Sequence, residues 1–361
     1  MTASVTLQAG RPAQPDRLVA VWLFACAAMT LVMVVIGGIT RLTESGLSIT
    51  EWKPLTGVVP PLTEAEWEAS FALYQQIPEY KLFNKGMSLA DYKAIYWWEF
   101  IHRLWGRLIG IAFVVPFAVF LMRRRIGRGL APWLALLFAL GALQGLLGWY
   151  MVASGLSGRT DVSQYRLAAH FGLAVALYCA LFWTALRLVR SPPSQPHEGA
   201  RLRPWLIAAL CLLGLTMIAG AFVAGLNAGF VYNSFPWMGE GLVPPDYSRD
   251  AAGFWANALE NPAAAQLHHR LLAMLTLCAS LALWWSGRQL SLTRPARMAL
   301  AAFALAAAVQ VGSGVMTLFL TVPIALAALH QAGAMVLLSF GLWALLEMRR
   351  PAILRTRPPA Y

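Results

Sequence analysis

The sequence predicts an all-α integral membrane protein, eight transmembrane helices arranged as two tandem, pseudo-symmetric four-helix bundles. Three observations carry this reading. Of 361 residues, 59% are hydrophobic and only 12% charged, about half the charged share of a soluble domain. Apolar runs recur at the ~20 residues that cross a bilayer as helix. And a set of polar motifs buried in those runs occurs twice, in the same order.

The spans read as 18–40, 93–122, 130–153, 164–189, 204–226, 263–287, 296–319 and 322–347. The first follows a short polar start with Arg11 and Arg17 and lacks a small-residue cleavage site, so it reads as a retained helix. Arginines cluster between spans: Arg123, Arg124, Arg125 and Arg128; Arg187, Arg190, Arg201 and Arg203; Arg288, Arg294 and Arg297; Arg349, Arg350, Arg355 and Arg357. That distribution marks cytoplasmic loops and places both termini on the cytoplasmic side. It also accounts for the +12 net charge without nucleic acid, which is not expected as a partner.

The chain therefore divides into a tail (1–17), a first four-helix half (18–190), a linker (191–203), a second half (204–348) and a tail (349–361). Outer loop 42–92 carries Glu44, Glu51, Glu64, Glu66, Glu68, Glu79 and Asp91 against Lys53, Lys81 and Lys85. Within it Thr63 and Glu66 have capping-box spacing and Pro78 is a stop, predicting a short surface helix. Ser88 and Asp91 predict that the second long helix begins before the membrane does. The second outer loop, 227–262, is rich in Gly, Pro and aromatics and is expected to be compact. Cys26, Cys179, Cys211 and Cys278 lie inside apolar runs without metal-type spacing and read as buried, inert thiols.

The repeat sits where chemistry is expected. His102-Arg103-Leu104 returns 167 residues later as His269-Arg270-Leu271. Gln144 and Gly148 return after 166 residues as Gln310 and Gly314, and His170 after 160 as His330. Each half thus has one histidine on its second helix and one on its fourth, at matched depth towards the outer face. Snorkelling or a backbone bond explains a lone histidine near a helix end. Two duplicated pairs in a membrane interior, where ionisable groups are expensive, predict metal ligation. Facing imidazoles in a bundle suit the two axial positions of haem iron. Zinc and non-haem iron fit less well, because no Cys, Asp or Glu recurs beside both pairs. His268 is in register with Ile101, about 100° round the helix from His269, and reads as a bystander. His197, in a polar inner loop, is expected to do nothing chemical.

Arg103 and Arg270 follow ligands directly and are suited to haem propionates; interfacial anchoring is the plain alternative. The halves differ at Glu99, whose counterpart is Gln266. Glu99 shares a helix face with His102. It is placed either to serve as acid or base at a porphyrin pocket or to pair with Arg103 one turn on.

The segments "GGITRLTESGLSITEWKPLTGVVPP", "EFIHRLWGR", "AAHFGLA", "QLHHRLLA" and "ALHQAGA" together resemble the haem A synthase family over residues 20–348. The resemblance implies an inner-membrane oxidoreductase converting haem O to haem A. The C8 methyl becomes formyl by successive hydroxylations, the dihydroxylated carbon losing water. It further implies that His102 and His170 bind the substrate haem, that Glu99 is the essential carboxylate, and that His269 and His330 hold a haem b relaying electrons. Haem O synthase, cytochrome oxidase assembly factors, an unidentified electron donor and membrane lipid are the partners it implies. Some members carry a cysteine pair in the first outer loop; this chain has none there, so no mechanism using such a pair applies. The rival readings are a di-haem electron-transfer cytochrome, with two equivalent halves, and a haem transporter with labile ligation in both.

Overall fold

A computed structural model describes residues 17–53, 56–156, 160–190, 198–248 and 253–349. His197, most of the linker and nearly all of both tails lie outside these. Eight helices are long and apolar enough to cross a membrane: α1 (Arg17–Leu42), α4 (Leu89–Met122), α5 (Ala131–Ala153), α6 (Gln164–Val189), α7 (Arg203–Gly225), α9 (Pro262–Arg288), α10 (Arg294–Phe319) and α11 (Ile324–Glu347). Three shorter ones, α2 (Glu64–Tyr74), α3 (Pro78–Leu82) and α8 (Phe254–Glu260), lie in the connections. The fold class read from the sequence stands, with span ends shifted by a few residues.

Helices α1, α4, α5 and α6 pack as a ring, and α7, α9, α10 and α11 repeat it. The rings meet reciprocally: the first helix of each touches the last of the other, α1 on α11 and α6 on α7, while α6 also crosses α11. Tyr178 Oη and Ser339 Oγ, 2.6 Å apart, tie that crossing. At the opposite end Arg41 on α1 donates to Ala224 O (3.2 Å) and Asn227 Oδ1 (2.9 Å), joining the halves again.

The tight core sits at the arginine-rich end: Val19, Leu23, Leu134, Ala185, Leu206, Leu300, Phe303 and Met348 are buried there. Indole donors fasten neighbours, Trp22 Nε1 to Ala112 O and Trp105 Nε1 to Met29 O. The histidines lie towards the other end, under the long connections.

Both capping boxes form. Thr63 and Glu66 close α2, and Ser88 with Asp91 starts α4 well before its apolar stretch. Pro78 does more than stop α2: it occupies the first turn of α3, where its missing N–H costs nothing. Helices α2 and α3 cover the start of α4 through an aromatic cluster of Trp67, Tyr74, Tyr92, Tyr96 and Phe100. In the second connection Met238 is fully buried and Asn233 Nδ2 donates to Gly229 O and Leu318 O, as a compact loop requires. Helix α8 is an addition to the sequence reading, which placed no helix there. The thiols need one correction. Cys26 is buried, but Cys211 and Cys278 are exposed on helix faces turned away from the core; an apolar run fixes depth in a bilayer, not which face looks inward.

Candidate metal centres

Each of the four histidines rests on a glycine of the preceding helix in its ring. A Cβ added at Gly37 would lie 3.0 Å from His102 Cε1, one at Gly148 2.9 Å from His170, one at Gly220 3.1 Å from His269 and one at Gly314 2.8 Å from His330. At Gly148 and Gly314 this is closer than a real Cβ comes, and at Gly37 and Gly220 it is a tight contact, so the backbone itself forms the seat. The sequence reading found Gly148 and Gly314 through the repeat; Gly37 and Gly220 it did not pair, since their role appears only when α1 and α7 pack on their neighbours.

In the second half the rings of His269 and His330 stand 6.4 Å apart at 87°. A transition metal binds imidazole nitrogen at about 2.0 Å, so two opposed ligands hold their ring centres roughly 6 Å apart. Both Nδ1 atoms are engaged. His269 Nδ1 is 3.0 Å from Thr216 O and so donates to it. His330 Nδ1 is 2.9 Å from Ser313 Oγ, whose own proton goes to Gln310 O. That leaves the Nε2 of His269 unprotonated, the form a metal takes; His330 Nδ1 is held between Ser313 Oγ and Gln310 Nε2, the latter at 3.1 Å. Gln310 Nε2 also donates to His330 O at 2.7 Å.

The first half keeps the frame but not the Nδ1 bonds, the Gln144 amide lying 3.5 Å from His170 Nε2 instead. Gln144 Nε2 donates to His170 O at 2.9 Å, as Gln310 does to its histidine. His102 and His170 lie within electrostatic reach of one another. Yet His102 Nδ1, His170 Nδ1 and Gln144 Oε1 are buried without hydrogen-bond partners. Leu147 stands where the second half has Ser313. Among the described residues no group of three or more His, Cys, Asp or Glu side chains surrounds a common point. Paired imidazoles with orphaned nitrogens and a carbon-only floor fit a planar porphyrin iron.

Glu99 is buried beside the first pair. Its Oε2 accepts from Ser48 Oγ (2.8 Å) and Ile49 N (2.7 Å), and its Oε1 from Arg103 Nε (3.0 Å) and Nη2 (2.6 Å). Arg103 also donates to Ile49 O and Glu51 O, so its guanidinium is mostly spent on the carboxylate and the loop. In the second half Gln266 Nε2 and Arg270 Nη2 both donate to Tyr232 O, at 3.0 and 2.9 Å. Arg270 Nε and Gln266 Oε1 remain buried and unpartnered. The polar pair one turn apart therefore clamps the loop after the first helix in both halves, but only the first clamp contains an acid. His268 Nε2 lies 3.1 Å from Tyr247 Oη.

Fold and site define a polytopic membrane protein that carries a buried pair of histidines, candidate ligands, in each of two repeated halves. The family is then settled by comparison: residues 20–342 match the family model COX15-CtaA, described as cytochrome oxidase assembly protein. The chain is 52% identical to "Heme A synthase" of Rhodospirillum centenum over 94% of this chain and 91% of that one. It is 42% identical to human "Heme A synthase COX15" over 96% and 88% respectively. The chain belongs to the COX15-CtaA family.

Proposed function

We propose that this chain is a haem A synthase of the bacterial inner membrane that oxidises the C8 methyl of haem O to formyl. The first half takes the substrate between His102 and His170; the second holds a haem b between His269 and His330. The observation that carries this is the asymmetry within the duplication. One pocket has a buried acid and two imidazoles whose Nδ1 atoms are buried without partners; the other has no acid and two imidazoles engaged through Nδ1. A group that must leave after reaction favours loose ligands, and a permanent cofactor favours fixed ones.

Haem b supplies one-electron redox chemistry when bound. The chain's own residues do the rest. Glu99, its Oε2 accepting from Ser48 Oγ and Ile49 N, would be the carboxylate that serves as proton acceptor in the substrate pocket. Arg103 balances the carboxylate and, with Ser48 to Glu51, draws the loop over the pocket to exclude water. Arg270 Nε is the donor still available for a propionate. Haem O synthase would supply the substrate, oxidase assembly factors would receive the product, and a one-electron donor would recharge haem b. The arginine clusters support a topology with both termini in the cytoplasm and the pockets towards the outer face.

The test is expression in a host that makes haem O, followed by extraction of the bound pigments. Wild type is expected to yield formyl haem. Glu99→Gln is expected to retain both haems with formyl haem reduced more than a hundredfold. Formyl haem at wild-type levels in that variant would remove Glu99 from the reaction, and protohaem alone in wild type would make the protein an electron-transfer cytochrome.

A further inference from the structure

The two rings differ below the histidines. On α4, Gly106 and Gly110 follow His102 at one-turn and two-turn spacing, about 6 and 12 Å further from the long loops. On α5, which runs back, Gly141 lies within about 20° of Gly148, the seat of His170, and Gly145 between them lies a few tens of degrees off. A Cβ added at Gly110, Gly141 or Gly145 would meet nothing within 4 Å. By the repeat offsets, the second half has Ala273, Leu277, Ala307 and Val311 at the four positions. Leu277 packs against the hydrophobic core and Ala307 is buried. The side chains of Leu277, Ala307 and Val311 thus fill in one ring what is open in the other, while at Gly106 an added Cβ would already lie 3.3 Å from Met33 Cε.

The opening reaches the lipid. Helix α5 buries only Leu134 and Leu137, nothing from 138 onward, whereas α10 buries Ala304, Ala307 and Thr317 over the corresponding stretch. At the mouth of this slot stand the unpartnered, buried Nδ1 atoms of His102 and His170 and Oε1 of Gln144. These polar atoms mark a ligand site above an apolar, glycine-walled channel pointing towards the bilayer middle.

We infer that the Gly106–Gly110–Gly141–Gly145 slot receives the long apolar tail of a tail-bearing porphyrin and admits it sideways between α4 and α5. The corresponding fill in the second ring restricts that pocket to a tail-less haem. The inference rests on the first half being the substrate site, and it supplies what selects substrate from cofactor in two pockets of like ligation. Side chains of Leu and Val size would occupy the volume such a tail needs.

The test copies the second half into the first: Gly110→Leu, Gly141→Ala and Gly145→Val together, with haem O and protohaem each added to purified protein in nanodiscs. Haem O loading is expected to fall at least tenfold while protohaem loading changes less than threefold. The b-type spectrum of the second half reports folding. Should the triple variant lose it, Gly141→Ala alone is expected to cost haem O loading at least threefold. Gly312→Val, at an exposed glycine of α10, is expected to change neither. Haem O loading as in wild type, or equal loss of both porphyrins, overturns the slot. Wild type that loads protohaem but never haem O overturns the substrate-site reading itself.

Discussion

A histidine becomes a durable iron ligand when its second nitrogen is held, because the bond fixes both tautomer and ring angle. On the proposed assignment Ser313 Oγ would hold the second nitrogen of His330, and Thr216 O that of His269. Leu147 offers no such bond to His170. Ser313→Ala is therefore expected to weaken haem b retention ten- to a hundredfold, read as loss of the b-type spectrum under competition with apomyoglobin. Unchanged retention would mean that the bond plays no anchoring part. Ser313 was visible all along in "QVGSG" against "QGLLG", but a hydroxyl on a helix usually bonds its own backbone. Only the packing of α10 on α11 gives it a histidine. Glu99 was legible for the opposite reason: its partner Arg103 lies on the same helix, where spacing alone decides contact.

At the scale of elements, the eight spans and both capping boxes were legible because their causes are local: apolar length, and a side chain three residues from its backbone donor. The cap over the first pocket was not. Glu79, read simply as one of several loop acids, is buried on α3, accepting from Tyr74 Oη at 2.9 Å and from Asn84 Nδ2. Burial, helped by the nearby charges of Glu44, Asp161 and Glu99 and opposed by the Tyr74 bond, raises its pKa to about 7. Burial likewise pushes the Tyr74 phenol up. Since the folded cap holds this proton where the unfolded loop has released it, stability falls as pH rises from about 4.5 to about 7. The loss is no more than about 3 kcal/mol. Hydrogen exchange of α2 and α3 amides is expected to speed up across that window beyond its intrinsic pH dependence, and Glu79→Gln to abolish the excess. An excess that survives the substitution would assign it to another group.

The whole molecule is a duplication whose halves meet first helix to last. At that seam the Gln331 side chain lies over Gly38: a Cβ there would fall 1.8 Å from Oε1. Gly38 adjoins Gly37, the seat of His102, and Gln331 adjoins His330, so the seam touches both centres. Gly38→Ala is expected to displace the flexible end of Gln331 and to lower stability, read from the thermal midpoint, by no more than about 1 kcal/mol. Gln331→Ala in the same chain should recover most of the loss; additive losses would show that the two do not share the space.

The central claim is that two imidazole pairs hold two different porphyrins and act separately. It is tested most directly by pigment analysis of two single variants, His170→Ala and His330→Ala, purified from a host that makes haem O. The account predicts that His170→Ala keeps the b-type spectrum and loses the tail-bearing haem, whereas His330→Ala loses the b-type spectrum. Both porphyrins surviving in both variants, or vanishing together in each, would contradict it.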